Sequence, residues 1–341
     1  YPPCNCISLR IYIFMDDAVG RLLRDALIDK ARQGVKIRLL YDDVGSWKVK
    51  NRFFRDMVKE GIEVYPFGEV KFAALTRRVN YRNHRKLVIV DGQLGYIGGM
   101  NIAERYYKGF SWGGWRDTHI RIEGMAVNAL QTSFFVDWHY ASRMLVDEPV
   151  YFPKVERKGD TDMQIVTSYP MGEWKTIMQG LLQVISQSRR YLYIQTPYFM
   201  PTEPILMALR NAALAGVDVR IMVPLRGDSL LADLASHSYY KEVMTAGVKI
   251  YQYESGYLHA KMILSDDNFV TIGSTNMDFR SFEQNFEINA FIYDPDVVDT
   301  MKQIFLADQQ FSLRVIPADW QNRPLWKRCL ESLVRLLSPI L

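Results

Sequence analysis

Apolar and polar residues alternate along this chain in a pattern that predicts strands and helices in turn, and the pattern occurs twice. Helices are predicted at 20–33 and 204–215, and strands directly after them at 35–41 and 217–223. β-Branched residues favour the strands, and the glycine after each helix suits the left-handed conformation that ends a helix. A further strand, predicted at 7–14, gives the first run the order strand, helix, strand.

Each run continues with another helix and strand at corresponding positions. The helices are predicted to end near Gly61 and Gly247, and the strands follow at 62–65 and 248–251. The order β-α-β-α-β-β is therefore predicted twice. Because alternating strands and helices form sheets covered by helices, we expect two similar α/β domains related by a pseudo-two-fold axis.

A polar segment at 147–163 separates the two runs and indicates the domain boundary. We expect a first domain at 1–150, a second domain at 160–315 and a basic amphipathic helix at 323–341. The second half is expected to open with a helix at 174–188. No similar helix precedes the first strand, so the first half is expected to be short at its N-terminus.

The clearest repeat is a short polar motif within apolar strands. His84-Arg-Lys-Leu-Val-Ile-Val-Asp91 returns as His259-Ala-Lys-Met-Ile-Leu-Ser-Asp266. A second pair of similar segments, Ile97-Gly-Gly-Met-Asn101 and Ile272-Gly-Ser-Thr-Asn276, follows the motifs and is separated by the same 175 residues. A lone histidine in an apolar strand usually has a structural role. Two histidines in register, each followed by the same polar residues, indicate a functional site.

The spacing of histidine and lysine suits phosphodiester chemistry. Successive side chains of a strand point to opposite faces, so His84 shares a face with Lys86, and His259 with Lys261. An imidazole can attack phosphorus or transfer a proton, and an ammonium group neutralises the non-bridging oxygens. These four residues are therefore candidate catalytic residues.

Four acidic residues accompany the two motifs. Asp91 and Asp266 complete the motifs and belong to the candidate catalytic set, although their place at a strand end favours support of the following loop. Asp117 and Glu287 lie further along the chain. Each is expected to orient the histidine of its own half by hydrogen bonding to the ring, with an ordinary surface position as the alternative.

Small residues and amides follow each motif. The pairs Gly98-Gly99 and Gly273-Ser274 would allow close approach of the backbone, and we place Ser274 among the supporting residues. Asn101 and Asn276 are expected to donate amide hydrogens to phosphate oxygens. Because no Cys/His cluster has the spacing of a zinc ligand set, we expect neither a metal nor a cofactor.

Composition narrows the class of protein. The chain has 341 residues, 42 basic and 38 acidic, for a net charge of +4. That small excess does not suit a protein dedicated to binding nucleic acid, but it is compatible with an anionic substrate or a membrane surface.

Three cysteines cannot build a disulfide framework, and Cys4 and Cys6 are expected to lie too close in sequence to form a disulfide comfortably. No apolar run reaches the roughly 18 residues of a membrane-spanning helix.

The two motifs resemble those of the phospholipase D superfamily, whose two His-x-Lys-x4-Asp segments meet at one site. The resemblance covers nearly the whole chain and implies two phospholipase D-like domains with the active site at their interface. Four segments are similar to bacterial cardiolipin synthases: Ile97–Tyr107, Trp115–His119, Gln195–Phe199 and Gly273–Glu283.

The resemblance implies transfer of a phosphatidyl group from one phosphatidylglycerol to another, with release of glycerol. It makes His84 the nucleophile that becomes a phosphohistidine, and His259 first the acid for the departing glycerol and then the base for the acceptor hydroxyl. It further implies an anionic phospholipid substrate and association with the bacterial cytoplasmic membrane. The near-neutral charge leads us to expect no nucleic-acid partner.

Other activities share this chemistry. Water in place of the acceptor would give a phospholipase D, and a nucleic-acid substrate would give a nuclease, which the near-neutral charge disfavours. A non-enzymatic lipid-binding module would need a broken motif, and both motifs are intact. One residue departs from the family pattern: Arg10 aligns with Gln195, where the resemblance leads us to expect an acid.

Two segments are candidates for membrane contact. At 324–337, Leu, Trp and Val recur at helical spacing opposite Lys327, Arg328 and Arg335, a pattern that suits the lipid interface or packing on the chain's own domain. The aromatic and glycine-rich segment 106–115 suits either an interfacial loop or the lip of a pocket.

Overall fold

A computed structural model describes residues 4–68 and 81–340, and the first half of the chain forms one sheet with its helices. The strands of this half are β1 (Cys6–Ile11), β2 (Lys36–Asp42), β3 (Glu63–Phe67), β4 (Arg82–Asn83), β5 (Leu87–Val90), β6 (Leu94–Gly98), β7 (Gly114–Arg116) and β8 (His119–Glu123). The helices are α1 (Ala18–Arg32), α2 (Asn51–Lys59), α3 (Arg105–Lys108) and α4 (Ala126–Ser142).

The second half follows a 3-10 turn at Pro149–Tyr151. Its strands are β9 (Met163–Ser168), β10 (Tyr191–Gln195), β11 (Phe199–Met200), β12 (Asp218–Pro224), β13 (Lys249–Tyr253), β14 (Gly256–Leu258), β15 (Met262–Ser265), β16 (Phe269–Gly273), β17 (Met277–Asp278), β18 (Asn285–Ile292) and β19 (Ser312–Arg314). Its helices are α5 (Thr176–Gln187), α6 (Glu203–Leu214), α7 (Leu230–Thr245), α8 (Phe279–Glu283), α9 (Pro295–Gln310), α10 (Pro317–Gln321) and α11 (Leu325–Arg335).

The two sheets have the same strand order. In the first half the order is β3-β2-β1-β5-β6-β8, and in the second half β13-β12-β10-β15-β16-β18 forms its counterpart. The first three strands of each series are parallel, and the rest are antiparallel to their neighbours. The duplicated α/β architecture expected from the sequence is therefore confirmed.

Two short strand pairs connect the halves. β4 of the first half lies parallel to the start of β18, and β7 lies parallel to β14. Each pair joins the backbone just before one motif histidine to backbone in the opposite half. The position of each histidine is therefore set by both halves together.

A shared apolar core lies between the sheets. Leu87 and Ile89 of β5 belong to the same buried cluster as Met262 and Leu264 of β15. Full burial of one such side chain stabilises a fold by about 1.5–3 kcal/mol. Because this core includes the strand directly after each histidine, packing holds both motifs rigidly.

The structure also corrects details of the sequence interpretation. The second half opens with β9, which lies partly in the predicted linker, and only then reaches α5. Cys4 and Cys6 form a disulfide, contrary to expectation. Residues 1–3 and 341, which belong to the predicted first domain and C-terminal helix, lie outside the described residues. Across 4–68 and 81–340, every helix is too short or too polar to cross a membrane.

Candidate active site

A cavity of about 310 Å³ lies where the two halves meet. Both motif histidines line it, together with polar and aromatic side chains from each half. Its lining includes Tyr106, Asn101, Trp115, Asn276, Asn285 and Asp278. Duplicated residues that are far apart in sequence are therefore gathered into one site.

His84 is paired with an acid from the second half. Through the register of β4 and β18, Asn83 lies opposite Phe286, and the backbone N–H of His84 donates to the Phe286 carbonyl at 3.0 Å. The next residue of β18 is Glu287, whose Oε1 lies 2.9 Å from His84 Nδ1. The short parallel pairing therefore fixes which acid reaches this ring.

His259 is held by the same arrangement from the other direction. Its backbone N–H donates to the Arg116 carbonyl at 2.7 Å, and its Nδ1 lies 2.7 Å from Asp117 Oδ2. The expectation that Asp117 and Glu287 each serve the histidine of their own half is wrong. The acids are exchanged because β7 and β18 each pair with the strand that leads to the other half's histidine.

These pairings fix the tautomer of both rings. A carboxylate can only accept a hydrogen bond, so Nδ1 of each histidine carries the hydrogen. The Nε2 atom of a neutral ring then keeps its lone pair. Both rings line the cavity, where such a nitrogen can act as a nucleophile or a base.

The site is strongly desolvated. Burial, with Lys261 as a further cause, lowers the pKa of His259 to about 3. Burial also lowers the pKa of His84, against the opposing effect of Glu287. Burial raises the pKa of Asp117, but His259 and Lys261 outweigh it, so the net shift is downward. Each pair therefore consists of a neutral imidazole and an ionised carboxylate at neutral pH.

Both motif lysines are buried next to their histidines. Lys86 Nζ donates to the His84 carbonyl at 2.5 Å, and Lys261 Nζ donates to the His259 carbonyl at 2.6 Å. Burial lowers the pKa of Lys261 to about 8, and lowers the pKa of Lys86 well below its usual value. A bound phosphate would favour the charged ammonium forms.

Each orienting acid has its own supporting contacts. Ser274 Oγ and Asn285 Nδ2 donate to Glu287, the latter at 3.1 Å. Trp115 Nε1 and the Thr118 backbone N–H donate to Asp117 at 3.1 and 2.8 Å. The supporting place expected for Ser274 is thus a direct hydrogen bond to an acid.

At the first-half position equivalent to Ser274, a glycine provides space. A Cβ on Gly99 would lie 2.0 Å from Asp117 Oδ1. The acid therefore occupies the volume that any side chain at this position would need.

Asn101 and Asn276, the asparagines that follow the two motifs, line the cavity. Both side-chain amides already make hydrogen bonds within the protein. Asn101 Oδ1 accepts from the Ile13 backbone N–H at 3.0 Å, and its Nδ2 donates to Tyr106 Oη at 2.6 Å. Asn276 Nδ2 donates to Asp278 Oδ2 at 3.1 Å. Donation to phosphate by the remaining N–H hydrogens stays a prediction.

The motif aspartates lie away from the cavity. Asp91 Oδ1 accepts from the Cys6 backbone N–H at 2.9 Å, and Asp266 accepts from the backbone N–H groups of Arg190 and Tyr191 at 2.8 and 2.9 Å. Each aspartate thus ties the loop after its motif strand to the start of β1 or β10. These contacts agree with the expected support of the loop after each motif. Neither aspartate belongs to the cavity lining that contains the histidines.

Arginine–aspartate pairs behind the orienting acids were not found from the sequence. Arg85 Nε donates to the Glu287 carbonyl at 2.8 Å, and its Nη1 donates to Asp137 at 2.8 Å. In the other half, Arg116 donates to the Asp117 carbonyl and lies 2.9 Å from Asp308. Each arginine thereby connects an orienting acid to an aspartate on α4 or α9.

Arg10, the departure from the family pattern, joins the first of these clusters. It is fully buried, pairs with Asp137 and donates to Asn83 Oδ1 at 2.8 Å. Its counterpart Gln195 donates to Asp308 at 2.8 Å. Arg10 and Gln195 therefore each contact an aspartate of their own half, Asp137 on α4 or Asp308 on α9. No local pattern in the sequence marked these two aspartates as partners.

The remaining histidines are not part of the cavity lining. His119 lies on β8, His139 on α4 and His237 on α7, where Glu331 approaches it at 3.8 Å. Within 4–68 and 81–340, no three metal-binding side chains converge on a point.

Comparisons with known proteins give one consistent result. A family model described as "Cardiolipin synthase, PLD-like domain" matches residues 6–112 and 181–309. The major cardiolipin synthase ClsA of Bacillus subtilis is 45% identical over 338 residues, which cover 98% of this chain and 70% of that protein. A cardiolipin synthase of Geobacillus kaustophilus is 42% identical, with coverage of 98% and 67%.

A solved structure shares the architecture at low sequence identity. The phosphatidylserine synthase of Haemophilus influenzae has a TM-score of 0.75 and 14% identity, and the match covers 100% of this chain and 91% of that one. At this identity the likeness establishes a common fold.

Proposed function

Because this chain belongs to the cardiolipin synthase family of phospholipase D-like proteins, we propose that it transfers a phosphatidyl group between two phosphatidylglycerol molecules and releases glycerol. The observation that carries the proposal is the single cavity lined by His84 and His259, each with its Nδ1 bound to a carboxylate. That arrangement supplies a nucleophile and a proton carrier on one phosphodiester.

In the first step, Nε2 of His84 attacks phosphorus and the bond from phosphorus to the headgroup glycerol oxygen breaks. Protonated His259 gives its proton to that oxygen, so glycerol leaves as a neutral alcohol. The product on the enzyme is a phosphatidyl-histidine at His84. The assignment of His84 as nucleophile follows the family, because the two pairs have closely similar geometry.

In the second step, neutral His259 removes a proton from the hydroxyl of a second phosphatidylglycerol. The resulting oxygen attacks phosphorus, the phosphorus–nitrogen bond breaks, and His84 returns to its neutral form. The proton gained by His259 readies it for the next cycle. Atoms and charge balance without a metal or cofactor.

Lys86 and Lys261 stabilise the charge on the non-bridging oxygens during both steps. Asp117 and Glu287 keep the two rings in the required tautomer and stabilise the imidazolium forms.

Asn101 and Asn276 contribute polar groups at the cavity wall, and Asp91 and Asp266 hold the motif strands in place. No nucleic-acid partner is included in the proposal.

The proposed division of the chain follows from its two sheets. The first phospholipase D-like domain comprises 1–150 and the second 160–315, with 323–341 as a C-terminal segment. Strand pairs β4–β18 and β7–β14 support a site that requires both domains.

The proposed lipid substrate places the protein at the bacterial cytoplasmic membrane, and α11 offers a surface for that contact. Its buried face is formed by Glu331 and Val334, whereas Leu325, Trp326 and Leu333 are 72%, 69% and 64% exposed. Lys327, Arg328 and Arg335 lie on the same helix. Exposed apolar residues beside basic ones suit the surface of an anionic bilayer.

The test is direct. The purified protein is incubated with phosphatidylglycerol vesicles, and the products are identified by mass spectrometry. Cardiolipin and glycerol in equal amounts are expected. Phosphatidic acid as the only lipid product would mean that water takes the phosphatidyl group, and turnover of DNA alone would overturn the lipid substrate.

A further inference from the structure

We propose that Arg105 binds the phosphate of the acceptor lipid, the second phosphatidylglycerol, which receives the phosphatidyl group. The inference rests on the proposed function and names the group that distinguishes this acceptor from water or a neutral alcohol. Arg105 lies outside both motifs. It lines the cavity together with the two histidines, and it is partly exposed.

Arg105 is one of a duplicated pair. Arg280 follows it after 175 residues, the same separation that relates the two motif histidines. Each arginine lies in the first turn of a short helix, α3 or α8, shortly after Asn101 or Asn276. Both arginines line the cavity. The repeat therefore brings a second pair of cations to the site, in addition to the two motif lysines.

Arg105 lies on the side of the cavity that holds His259. Its Cζ atom lies 5.7 Å from the centre of the Trp115 ring and 5.6 Å from the centre of the Tyr106 ring. The centres of these two rings lie 4.9 and 5.9 Å from the centre of the His259 ring. Arg105 and His259 thus contact the same two aromatic side chains.

Arg280 lies on the side of the other histidine. Burial raises the pKa of Tyr12 to about 12, and the nearby charge of Arg280 acts in the opposite direction. The centre of the Tyr12 ring lies 4.9 Å from the centre of the His84 ring. Each arginine therefore lies near the histidine of the opposite half, as the orienting acids do.

No carboxylate of residues 4–68 and 81–340 forms an ion pair with Arg105. The adjacent acid, Glu104, pairs with Lys108 at 2.6 Å. The Tyr106 hydroxyl accepts one hydrogen bond from Arg105. A guanidinium group carries five N–H donors in a planar fork that matches two oxygens of a phosphate. Arg105 is thus a suitable cation for an anionic group in the cavity.

The proposed reaction brings two phosphates into one site. The transferred phosphate is bonded to His84, with Lys86 and Lys261 beside it. The acceptor carries its own phosphate, joined to the attacking hydroxyl by the carbons of glycerol. Because His259 removes the proton of that hydroxyl, the acceptor phosphate lies on its side of the cavity. Two like charges repel strongly where water is scarce, so the second phosphate needs the cation on that side, Arg105.

The experiment offers the phosphatidyl-histidine two acceptors at once. Mixed micelles contain phosphatidylglycerol and an equal amount of hexadecylglycerol ether, which presents a vicinal diol without a phosphate. Transfer gives cardiolipin or phosphatidyl-hexadecylglycerol, and mass spectrometry measures the ratio of these two products. The wild type is expected to favour cardiolipin. Arg105→Gln should lower the ratio about tenfold, which corresponds to about 1.4 kcal/mol of selective binding.

Arg280→Gln is the matched control, because it removes the same charge at the equivalent position. It lies beside the phosphatidyl-histidine, which both acceptors share, so it should slow both products equally and keep the wild-type ratio. Damage to His259 or partial unfolding would also lower both products alike. Arg105→Lys keeps the charge without the planar fork and should lower the ratio by less than Arg105→Gln.

The outcomes separate the two proposals. If the wild type makes both products without favouring cardiolipin, or if Arg105→Gln keeps the wild-type ratio, the acceptor site is refuted and the transferase stands. Should Arg105→Gln not fold, an unchanged ratio in Arg105→Lys refutes the site in the same way. A lower ratio in Arg280→Gln alone would overturn the assignment to Arg105. If the wild type makes neither product, the transferase fails and the acceptor site fails with it.

Discussion

At the scale of residues, each histidine depends on an acid from the opposite half. Asp117→Asn should therefore resemble His259→Ala, and Glu287→Gln should resemble His84→Ala. Loss of the orienting carboxylate is expected to lower kcat by about 10²–10⁴, because the ring can adopt the wrong tautomer.

The distinction is measured with a phosphodiester that has a good leaving group, such as a p-nitrophenyl ester. Such a substrate does not need the acid in the first step. Asp117→Asn and His259→Ala should accumulate the phosphatidyl-histidine, detected by mass spectrometry of the peptide around residue 84. Glu287→Gln and His84→Ala should not. Accumulation in Glu287→Gln but not in Asp117→Asn would contradict the cross-half assignment.

Protonation at the site should change on substrate binding. In the free protein, burial lowers the pKa of His259 to about 3, so this ring is neutral at pH 7. The proposed first step needs it protonated. A phosphodiester anion beside the ring favours the imidazolium and raises the pKa, so binding should take up to about one proton from solution.

Calorimetric titration with an unreactive phosphonate analogue measures this uptake. At pH 7 the binding enthalpy should vary with the ionisation enthalpy of the buffer, with a sign that corresponds to proton uptake. His259→Ala provides the matched control and should bind with less buffer dependence than the wild type, because only the buried lysines then remain to take up protons. An identical enthalpy in all buffers for the wild type would contradict the expected protonation.

The chemistry of single residues was accessible from the sequence, but their partners were not. The duplicated histidine and lysine could be found because a repeat is visible letter by letter. The partner of each histidine depends on pairings of two or three residues between β4 and β18 and between β7 and β14. Strands this short leave no periodic pattern, so the acids were assigned to the wrong rings.

At the scale of elements, α4 supports the site through Asp137. This carboxylate is buried between Arg10 and Arg85, and Arg85 in turn holds the Glu287 carbonyl. Asp137→Ala would leave two buried guanidinium groups without their acid. We expect a loss of about 3–5 kcal/mol in the free energy of unfolding, measured by urea denaturation.

Asp56→Ala is a suitable control, because Asp56 pairs with Arg52 and Lys59 on the exposed face of α2. An exposed ion pair of this kind contributes at most about 1 kcal/mol. If Asp137→Ala and Asp56→Ala have the same small effect, the buried cluster does not stabilise the fold as described.

Elements with a clear local pattern agreed with the sequence, but a strand without one was missed. The helix predicted at 204–215 is observed at Glu203–Leu214, since its apolar periodicity and terminal glycine both mark it. β9 was missed because it lies next to a polar linker and pairs only with β18, a strand distant in sequence. Its formation depends on a partner that no local pattern reveals.

At the scale of the whole molecule, the exposed face of α11 should determine binding to membranes. The double variant Trp326→Ala/Leu333→Asp removes apolar contact and adds a negative charge beside anionic lipid. Sedimentation with vesicles containing phosphatidylglycerol should show at least about a tenfold weaker association, while turnover of a soluble short-chain substrate is unchanged.

Leu22→Ala serves as the control, because Leu22 is 74% exposed on α1, in the other half of the chain. It should leave vesicle binding intact. Equal binding by the double variant and the wild type would show that another surface contacts the membrane.

The plan of the whole molecule followed from repetition alone. Two runs with the same order of elements predicted two α/β halves, and the two sheets confirm that order. The contact between the halves could not be derived in the same way. It depends on a shared core from β5 and β15 and on the exchanged short strands, which involve residues far apart in the chain.

The exchanged acids have a consequence for inheritance. After a duplication that produced such a chain, neither copy could diverge alone, because an acid lost from one repeat disables the histidine of the other. The repeats must change as a matched set. A hybrid gene that joins the first half of one such enzyme to the second half of another would therefore encode two mixed histidine–acid pairs, and neither parental pair would survive intact.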